Sequence, residues 1–334
     1  MLVTGGAGFI GSNFIPYFLK RHDDFRIVNL DALTYAGTEE NLIELHGHPR
    51  YEFVKGDICD RVLVDQLFAN RPISGVIHFA AESHVDNSIT GPEAFVRTNI
   101  VGTFTVLDAA RRNWMKAPFV FREGQEGTRF LHISTDEVYG SLGPEGRFTE
   151  KTPYAPNSPY SASKASSDML VRCYFHTYGM NVVTTNCSNN YGPKQNKEKL
   201  IPTIIRKALA EQPIPIYGDG MNVRDWLYVL DHCRGVERVF FDGRKGEIYN
   251  IGGRNEQTNN QIVDAICTIL DKNKPRQKGK SYKELITYVT DRAGHDKRYA
   301  IDATKIENEL NWKPDEDFKN GIHKTIEWYL SKSV

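Results

Sequence analysis

A hydroxyl residue followed by two carboxylates stands at the end of an apolar run. The segment is HISTDEVYG, residues 132–140, and its polar centre is Thr135, Asp136 and Glu137. Adjacent acids can divide two proton transfers between them if their surroundings push their pKa values apart. One acid would protonate a departing hydroxyl group while the other removes a carbon-bound proton, which is the chemistry that eliminates water. The structural alternative is that the acids cap a helix or pair with a base such as Lys164.

A tyrosine and a lysine four residues apart form a second reactive pair. Tyr160 and Lys164 belong to the segment YSASK, and residues at i and i+4 share one face of a helix. An ammonium group beside a phenol stabilises the phenolate and lowers its pKa, so we expect Tyr160 to act as a base near neutral pH. Such pairs also occur by chance on helix surfaces. The position of this one, downstream of a nucleotide-binding turn, favours the catalytic interpretation.

The first turn of the chain, within LVTGGAGFIGS, places Gly5, Gly8 and Gly11 between a predicted strand and a predicted helix. Glycines at this spacing let a pyrophosphate approach the helix N-terminus, where free N–H groups favour anions. Asp31 ends the next strand and would accept hydrogen bonds from a ribose 2′-hydroxyl, which favours NAD over NADP. Asp57 follows the third strand, where we expect it at the adenine. The alternative is a plain turn, with Asp31 as a helix cap.

The elements that would position these groups alternate between strands and helices. We predict strands at residues 1–4, 26–30, 51–55, 75–80, 129–133 and 182–187, and helices at 12–21, 61–69, 92–112 and 158–177. This alternation predicts an α/β fold, a Rossmann-type doubly wound parallel sheet with right-handed crossovers. The pattern loosens after residue 188, where we predict helices at 201–210, 261–270 and 321–330 and short strands near 216, 226–229 and 248–251.

The chain divides into a nucleotide-binding domain and a smaller lobe. We assign residues 1–188 to an NAD-binding Rossmann domain and expect residues 223–252 to return to it. Residues 189–222 and 253–334 would form a smaller C-terminal α/β lobe that binds the substrate. The loop-rich composition of residues 188–225, which are rich in Asn, Gly, Pro and Lys, marks the transition between the two parts.

The composition excludes several classes of protein. Lys plus Arg equals Asp plus Glu at 42 each, so there is no broad basic field for nucleic acid or an anionic membrane. No apolar run approaches the roughly 18 residues that span a bilayer, and the N-terminus lacks a signal-peptide pattern. The 5 cysteines are scattered without a CxxC pair, which argues against a disulfide framework or a zinc site. We therefore expect a cytoplasmic protein with no metal, no nucleic-acid partner and no membrane partner.

Segments spread along the chain, in one order, resemble a known family. They are TGGAGFIGS, LDALTYAG, FAAESHVDNSI, STDEVYG, YSASKA, SNNYGP, KLIP, IYGDG, VRDWLYV and DRAGHDKRYAID. The GxxGxxG turn and the YxxxK motif are similar to the extended short-chain dehydrogenase/reductase superfamily as a whole, whereas TDE before YG and SNNYGP are more specific. Together the segments resemble the dTDP-glucose 4,6-dehydratase family over nearly the whole chain.

The resemblance implies a hydro-lyase reaction in three stages on one tightly held NAD. Tyr160 would take the proton of the sugar O4 while hydride passes from C4 to NAD⁺, with Thr135 holding O4 and Lys164 supporting the phenolate and the nicotinamide ribose. Glu137 would then remove the C5 proton as Asp136 protonates the leaving C6 hydroxyl. Return of the hydride to C6 would give dTDP-4-keto-6-deoxyglucose, a precursor of rhamnose or another deoxysugar.

The resemblance also implies which residues contact the two ligands. Besides Tyr160 and Lys164, the expected cofactor residues are Gly5, Gly8, Phe9, Ile10, Gly11, Asp31, Leu33, Thr34, Asp57, Ile58, Phe79, Ala80, Ala81, Ser83, Thr98, Asn99, Ser134 and Asn190. Besides Thr135, Asp136 and Glu137, the expected substrate residues are Ser83, His84, Asn189, Lys199, Leu200, Pro215, Tyr217, Arg224, Asn259, Arg292, His295 and Tyr299. Arg224 and Arg292 are the expected diphosphate ligands, because planar guanidinium groups suit phosphate oxygens. The chain departs from the family pattern at Asn87, where Arg is common, and at Ala293, where Pro is common.

Two other functions stay open on the sequence alone. A dehydratase, 4-epimerase or decarboxylase for a UDP-, CDP- or GDP-linked sugar would share most of these motifs, although Asp136 and Glu137 argue against an epimerase. A catalytically dead NAD-binding sensor would be expected to lose Tyr160, Lys164 or the acids, and all of them are present. The resemblance further implies a homodimer that forms through the helices predicted at residues 92–112 and 158–177 of each subunit.

Overall fold

Seven parallel strands form the main sheet of the molecule. The computed structural model describes residues 1–291 and 294–332. Its strands are β1 (Leu2–Thr4), β2 (Ile27–Asp31), β3 (Tyr51–Lys55), β4 (Gly75–His78), β5 (Met115–Ala117), β6 (Val120–Phe121), β7 (Arg129–Thr135), β8 (Val182–Cys187), β9 (Asn189–Tyr191), β10 (Ile214–Tyr217), β11 (Val223–Tyr228), β12 (Ile248–Ile251), β13 (Glu256–Thr258) and β14 (Ile286–Val289). The main sheet has the order β12-β8-β7-β4-β1-β2-β3, with every neighbouring pair parallel. The predicted doubly wound sheet is confirmed.

Helices flank the sheet and build the second lobe. They are α1 (Phe9–Arg21), α2 (Arg61–Asn70), α3 (Val85–Thr90), α4 (Pro92–Phe95), α5 (Thr103–Trp114), α6 (Pro159–Tyr178), α7 (Leu200–Leu209), α8 (Val229–Asp242), α9 (Asn259–Asn273), α10 (Thr304–Leu310) and α11 (Phe318–Lys332). The single helix predicted at residues 92–112 is interrupted, because a π-helical segment, Val96–Gly102, separates α4 from α5. None of the helices in the described part of the chain has the length and apolar character needed to cross a membrane.

Helix α6 carries Tyr160 and Lys164, and the local sequence defines both of its ends. The Ser158 side chain accepts a hydrogen bond from the Ser161 N–H, and the Ser161 side chain accepts one from the Ser158 N–H. This reciprocal capping box is followed by Pro159 at the first helical position, where a missing N–H costs nothing. The helix ends at Gly179, whose φ of 70° few other residues adopt easily. Both reactive side chains therefore stand on a helix with a fixed starting point.

Two hydrophobic clusters cover the two faces of the main sheet, and a third lies in the C-terminal part of the chain. Phe14 of α1 and Val236 of α8 belong to the first cluster. Leu67 of α2 and Val106 of α5 belong to the second. Trp226 of β11 joins side chains of α7, α9 and α11 in the third. Because helices cover both of its faces, strands such as β1, β4 and β8 are buried along their whole length.

Two segments pack differently from the division predicted from the sequence. Strand β11, predicted to return to the Rossmann domain, pairs with β9 and β13 outside the main sheet. Ile306 and Leu310 of α10, predicted in the substrate lobe, belong to the first cluster beside the main sheet. The Lys305 ammonium donates to the Ile248 carbonyl oxygen at 2.7 Å and so ties α10 to the edge strand β12. Both differences arise from contacts between segments that are distant in the sequence. The rest of the proposed division of the chain into a Rossmann domain and a substrate lobe stays a prediction.

Candidate active site

A long cleft opens at the carboxyl ends of the central strands, where the strand order reverses between β1 and β4. Open α/β sheets bind ligands at this position. Most residues predicted at the cofactor line the cleft: Gly5, Gly8, Phe9, Ile10, Gly11, Asp31, Thr34, Asp57, Ile58, Phe79, Ala80, Ala81, Ser83, Thr98, Ser134, Tyr160, Lys164 and Asn190. The same cleft is lined by Thr135, Asp136, Glu137, Asn189 and Lys199.

The glycine turn between β1 and α1 leaves room for an anion at the helix N-terminus. Gly8 precedes α1 and supplies no side-chain cap to the first-turn N–H groups. A Cβ atom at Gly8 would have only the Gly5 carbonyl oxygen within contact range, at 3.3 Å. A Cβ atom at Gly11 would lie 2.6 Å from the same oxygen, which shows how closely α1 packs on the turn. The turn therefore fits a dinucleotide pyrophosphate.

Asp31 ends β2 and joins two loops at the edge of the cleft. Its Oδ2 accepts a hydrogen bond from the Ala7 N–H and its Oδ1 accepts one from the Leu33 N–H, each at 2.8 Å. Burial raises the pKa of Asp31, and the backbone N–H groups oppose this rise. A carboxylate has about four acceptor sites, so the two oxygens can still accept ribose hydroxyls. Leu33 does not line the cleft, and its side chain packs against the first hydrophobic cluster instead.

Asn99 was predicted at the cofactor, but its side chain is buried behind the cleft. Its Oδ1 accepts a hydrogen bond from the Glu82 N–H at 2.8 Å, and its Nδ2 donates to the Glu82 carbonyl oxygen at 3.0 Å. The same Nδ2 donates to Ser163 Oγ at 2.8 Å. Because this amide is fully buried and engaged on both sides, Asn99 holds the loop after β4 against α6 and does not contact the cleft.

The residues Thr135, Asp136 and Glu137 lie where β7 ends and a 3₁₀ turn begins. The Thr135 hydroxyl accepts a hydrogen bond from the Glu137 N–H at 3.3 Å and lies 3.4 Å from Asp136 Oδ1. Asp136 is 1% exposed. Its pKa is raised well above the usual range, mainly by burial and then by the charges of Glu137 and Asp225. A carboxyl group whose pKa is raised in this way is suited to act as an acid.

Tyr160 and Lys164 lie on one face of α6 at the same point of the cleft. The Tyr160 hydroxyl hydrogen-bonds Thr135, yet burial, followed by the charge of Glu137, raises the pKa of Tyr160 well above its ordinary value. The lowered pKa expected from the sequence is therefore wrong for this structure. The Lys164 ammonium donates to the Ile133 carbonyl oxygen at 2.8 Å, and burial lowers the pKa of Lys164 to about 8. The two groups share a face, but burial of the phenol, followed by the charge of Glu137, sets the direction of the pKa shift of Tyr160.

Asp168, one helical turn after Lys164, was missed by the sequence reasoning. Its Oδ2 accepts hydrogen bonds from Ser134 Oγ at 2.8 Å and from the Tyr154 hydroxyl at 3.0 Å. Its Oδ1 lies 3.1 Å from His132 Nε2. Burial raises the pKa of Asp168 to about 7, and the charge of Lys164 opposes this. The only signal in the sequence is the spacing, since an acid at i+4 from a lysine lies on the same helix face.

Arg224 and Tyr299 of the second lobe form a stacked pair whose charges couple to Asp136 and Glu137. The Arg224 guanidinium lies 4.3 Å above the ring of Tyr299 and donates to the carbonyl oxygens of Val223 at 2.7 Å and Asp296 at 2.8 Å. Its positive charge lowers the pKa of Asp136, while the charge of Glu137 helps raise that of Tyr299. These couplings place the pair close to the end of β7, although neither residue lines the cleft.

A second group of predicted substrate residues meets at the rim of the cleft. The Lys199 ammonium donates to the Ser83 carbonyl oxygen at 2.8 Å. The Tyr217 hydroxyl lies 3.4 Å from Asp86 Oδ2, and the Tyr217 ring meets the His295 ring edge to face at 6.3 Å. These contacts join the second lobe to the loop and helix that follow β4.

His84, Leu200, Pro215 and Asn259 were also predicted to bind the substrate, but they do not line the cleft. His84 precedes α3, and burial, followed by the charge of Lys199, lowers its pKa. Leu200 begins α7 and packs against the third hydrophobic cluster. Pro215 lies opposite Thr287 in the β10–β14 pair, and Asn259 is buried at the start of α9. Arg292 and Ala293 lie outside the described residues.

Several lining residues were not predicted. They are Leu30, Ala32, Ala36, Gly37, Gly56, Ile133, Cys187, Ser188, Gln195 and Asn196, whereas Glu82, predicted near the sugar and the nicotinamide, does line the cleft. Most are small or follow directly after a central strand, so their position at a strand end is the signal that was available. Within the described residues, no group of three or more His, Cys, Asp or Glu side chains could hold a metal ion.

The sequence profile, the related protein and the two crystal structures that match this chain are all described as 4,6-dehydratases. Residues 2–325 match the sequence profile of the family described as GDP-mannose 4,6 dehydratase. A dTDP-glucose 4,6-dehydratase of Xanthomonas campestris pv. campestris (strain B100) is 57% identical over 333 residues, which cover 100% of this chain and 93% of that protein. The crystal structure of dTDP-glucose 4,6-dehydratase from Bacillus anthracis str. Ames in complex with NAD is 47% identical, with a TM-score of 0.87 and 99% and 96% of the two chains covered. That of the Streptomyces venezuelae enzyme with NAD and TYD bound is 44% identical, with a TM-score of 0.88 and the same coverage.

Proposed function

Because this chain belongs to the GDP-mannose 4,6-dehydratase family and groups there with the dTDP-glucose 4,6-dehydratases, we propose that it converts dTDP-glucose into dTDP-4-keto-6-deoxyglucose. The reaction is that of an NAD-dependent hydro-lyase, with no net oxidation or reduction. When bound, the nicotinamide accepts a hydride from C4 and returns it to C6. The observation that carries the proposal is the buried Asp136 beside the less buried Glu137, at the same point of the cleft as Thr135 and Tyr160.

The acid and the base of the elimination are the two neighbouring carboxyl groups. Asp136 holds its proton and donates it to the C6 hydroxyl as water leaves. Glu137, which is only partly buried, removes the proton at C5, which the ketone at C4 makes acidic. A pair of carboxyl groups whose surroundings push their pKa values apart can perform both transfers at one pH.

Tyr160, Thr135 and Lys164 serve the first oxidation. Thr135 holds the sugar O4 by its hydroxyl, and Tyr160 removes the O4 proton. The pKa of Tyr160 has to fall from its raised value before the phenol can act as a base. The Lys164 ammonium and the positive charge of an oxidised nicotinamide both favour the phenolate. Proton removal from O4 is therefore coupled to the presence of the oxidised cofactor.

The second lobe would hold the nucleotide diphosphate. Arg224 supplies a buried cation beside Asp136, and Lys199 supplies one at the rim. Asn189 and Lys199 line the cleft directly, while Tyr217, His295 and Tyr299 connect the lobe to it. We assign the diphosphate to Arg224, since its guanidinium is the group that can bind two phosphate oxygens at once. Arg292 remains a predicted second diphosphate ligand from the sequence.

A homodimer is supported by apolar side chains exposed on the two predicted interface helices. Val96, Val101 and Phe104 of the helical stretch from α4 to α5, and Met169 of α6, are each at least 40% exposed. Exposed apolar patches of this kind usually mark contact surfaces. A Phe104→Glu variant should run as a monomer in light scattering, while Val62→Glu on α2, also at an exposed valine, should leave the assembly unchanged. A Phe104→Glu variant that stays dimeric would contradict this interface.

The reaction is expected to run in the cytoplasm and to supply a deoxysugar such as rhamnose. All 5 cysteines of the chain are free thiols, which suits a reducing compartment. The product keeps its activating nucleotide, so it suits further modification at the keto group.

The activity is tested by incubating the purified protein with dTDP-glucose in deuterated water, first without added NAD. Mass spectrometry and NMR should show loss of water and one deuterium at C5, which would establish the elimination and a retained cofactor together. Sugar that stays unchanged when NAD is also supplied would contradict the substrate. The same assay with UDP-, CDP- and GDP-linked glucose then measures the nucleotide preference.

A further inference from the structure

Helix α1, which begins at the pyrophosphate turn, contains a proline in its second turn. Pro16 has no N–H group, so it cannot donate to the carbonyl oxygen of Ser12, four residues before it. That carbonyl therefore lacks its normal partner within the helix, although the Ser12 residue is fully buried. A buried carbonyl oxygen without a donor is costly. A donor from another part of the chain should be found there.

The donor is the ammonium group of Lys194, on the loop that leads from β9 into the second lobe. Lys194 Nζ lies 3.2 Å from the Ser12 carbonyl oxygen, 2.6 Å from the Asn41 carbonyl oxygen and 2.8 Å from Glu44 Oε1. All three protons of the ammonium are thus used. Lys194 also has a φ of 67°, a left-handed conformation that is strained for a residue with a side chain. The loop keeps this conformation although a glycine would adopt it more easily.

The acceptors of Lys194 belong to the two segments that enclose the predicted adenosine half of the cofactor. Ser12 lies in the first turn of α1. Asn41 and Glu44 lie in the 3₁₀ segment Glu39–Leu45, which follows the cleft-lining residues after Asp31. The Asn41 side chain reaches back and donates to the Ala7 carbonyl oxygen of the glycine turn at 2.9 Å. The loop, the helix and the 3₁₀ segment therefore form one connected frame around the glycine turn.

Neighbouring contacts fasten the same loop to the same frame. The Asn13 side chain donates to the Pro193 carbonyl oxygen at 2.9 Å. The Asn196 side chain donates to the Tyr35 carbonyl oxygen at 3.2 Å, and Asn196 itself lines the cleft. The loop therefore crosses from the second lobe over the adenosine side of the cleft and is held there at three points.

We propose that Lys194 is a positioning residue for the dinucleotide, whose ammonium replaces the hydrogen bond that Pro16 removes and closes the frame that retains the cofactor between the two hydride transfers. The proposal rests on the assignment of this cleft to NAD, and not on the identity of the sugar. A cofactor that must stay bound while it is reduced benefits from such a closure, because loss of the reduced form would leave the sugar oxidised.

The test measures release of NAD without any nucleotide sugar, so it is independent of the dehydratase assignment. Protein loaded with labelled NAD⁺ is freed of excess ligand, and the release rate is measured during a chase with unlabelled NAD⁺. Lys194→Met should release NAD roughly tenfold to a hundredfold faster, as expected for loss of hydrogen bonds from a charged group. Lys197→Met, an exposed lysine of the same loop, should stay within about twofold of the wild type. Equal release rates for the two variants would overturn the proposal.

A second pair of variants tests the role of Pro16. In a Pro16→Ala background the helix regains its own donor to Ser12, so Lys194→Met should accelerate release less than it does in the wild type. An undiminished effect would show that the Ser12 contact contributes nothing. With saturating NAD⁺ added, Lys194→Met should bind as much NAD⁺ per subunit as the wild type, which a distorted fold would not allow. If Lys194→Met does not fold, Glu44→Gln takes its place in the same release assay. This variant should release NAD faster than the wild type, by a smaller factor than Lys194→Met. A release rate equal to that of the wild type would contradict the proposal.

Discussion

The Thr135 hydroxyl lies 3.4 Å from Asp136 Oδ1 and accepts a hydrogen bond from the Glu137 N–H. One hydroxyl thus contacts both halves of the acid pair at the end of β7. Both acids line the cleft, but Asp136 is only 1% exposed, whereas Glu137 is partly exposed. Asp136 and Glu137 both belong to the 3₁₀ turn that follows β7, yet they differ in burial, so two carboxyl groups acquire different environments. This difference separates an acid from a base.

Removing both carboxyl groups should stop the reaction between oxidation and elimination. In the variant Asp136→Asn with Glu137→Gln, Tyr160 is intact, so C4 oxidation continues while loss of water slows by about 10²- to 10⁴-fold. Reduced NADH should then accumulate on the enzyme and be visible by its absorbance after dTDP-glucose is mixed in. Glu145→Gln, at an exposed residue, is the matched control. Normal turnover of the double variant would show that the two acids have no role in elimination.

Removing the phenol hydroxyl should stop the reaction one step earlier. Tyr160→Phe keeps the ring contact with Phe95, at 6.3 Å between centroids, but it cannot remove the O4 proton. We expect turnover to fall by about 10²- to 10⁴-fold, with no NADH formed and with NAD still bound. Stopped-flow absorbance distinguishes this result from that of the acid variant. Tyr288→Phe, at an exposed tyrosine, should behave as the wild type, and NADH formation by Tyr160→Phe would assign the base elsewhere.

The positions of strands could be predicted from the sequence where nearly all residues of the strand are buried. Strands β4, β8 and β12 have the predicted extents within a few residues, because strands covered on both faces read as short apolar runs between helices. Helix α8 was not predicted, since its buried side carries Asp231, His232 and Glu237, which hide the apolar period. Local pattern alone cannot show that such polar groups are buried.

The site was predictable at the strand ends and much less so in the second lobe. Residues at the end of a central strand or directly after it, such as Thr135 and Gly5, line the cleft because the sheet brings all carboxyl ends together. The buried role of Asn99 depends on Ser163, 64 residues away. The stacking of Arg224 on Tyr299 likewise depends on how two loops meet. No local spacing encodes these contacts, since they arise only when distant segments pack.

The buried carboxyl of Asp168 should make stability depend on pH. Its pKa is about 7 in the fold against an ordinary value of 3.8, so between about pH 4 and pH 7 the folded protein binds more protons there than the unfolded chain. Stability from this group therefore falls as the pH rises through that range. Asp168 faces Lys164 and His132 as charged or titratable groups, and Ser134 and Tyr154 as hydrogen-bond donors.

Asp168→Asn removes this dependence, since an amide does not titrate. The free energy of unfolding of the variant and of the wild type is measured by denaturant unfolding at several pH values. As the pH rises from about 4 to about 7, the value for the variant should increase relative to that for the wild type by up to a few kcal/mol. Asp24→Asn, at an exposed position, should show no such shift. A constant difference across the range would mean that Asp168 stays ionised in the fold.

The two glycines of the first turn should respond differently to alanine. At Gly8 the added Cβ would have only the Gly5 carbonyl oxygen nearby, at 3.3 Å, and the φ of −74° suits any residue. Gly8→Ala should therefore fold normally but bind NAD much more weakly, because the methyl group occupies the space that the pyrophosphate needs.

At Gly11 the Cβ would lie 2.6 Å from backbone atoms of Gly5 and Gly6, so Gly11→Ala should lose about 1–3 kcal/mol of stability even without NAD. Thermal melts with and without NAD, together with NAD titrations, separate the two effects. Wild-type NAD affinity in Gly8→Ala, or an unchanged melting temperature in Gly11→Ala, would contradict this account of the turn.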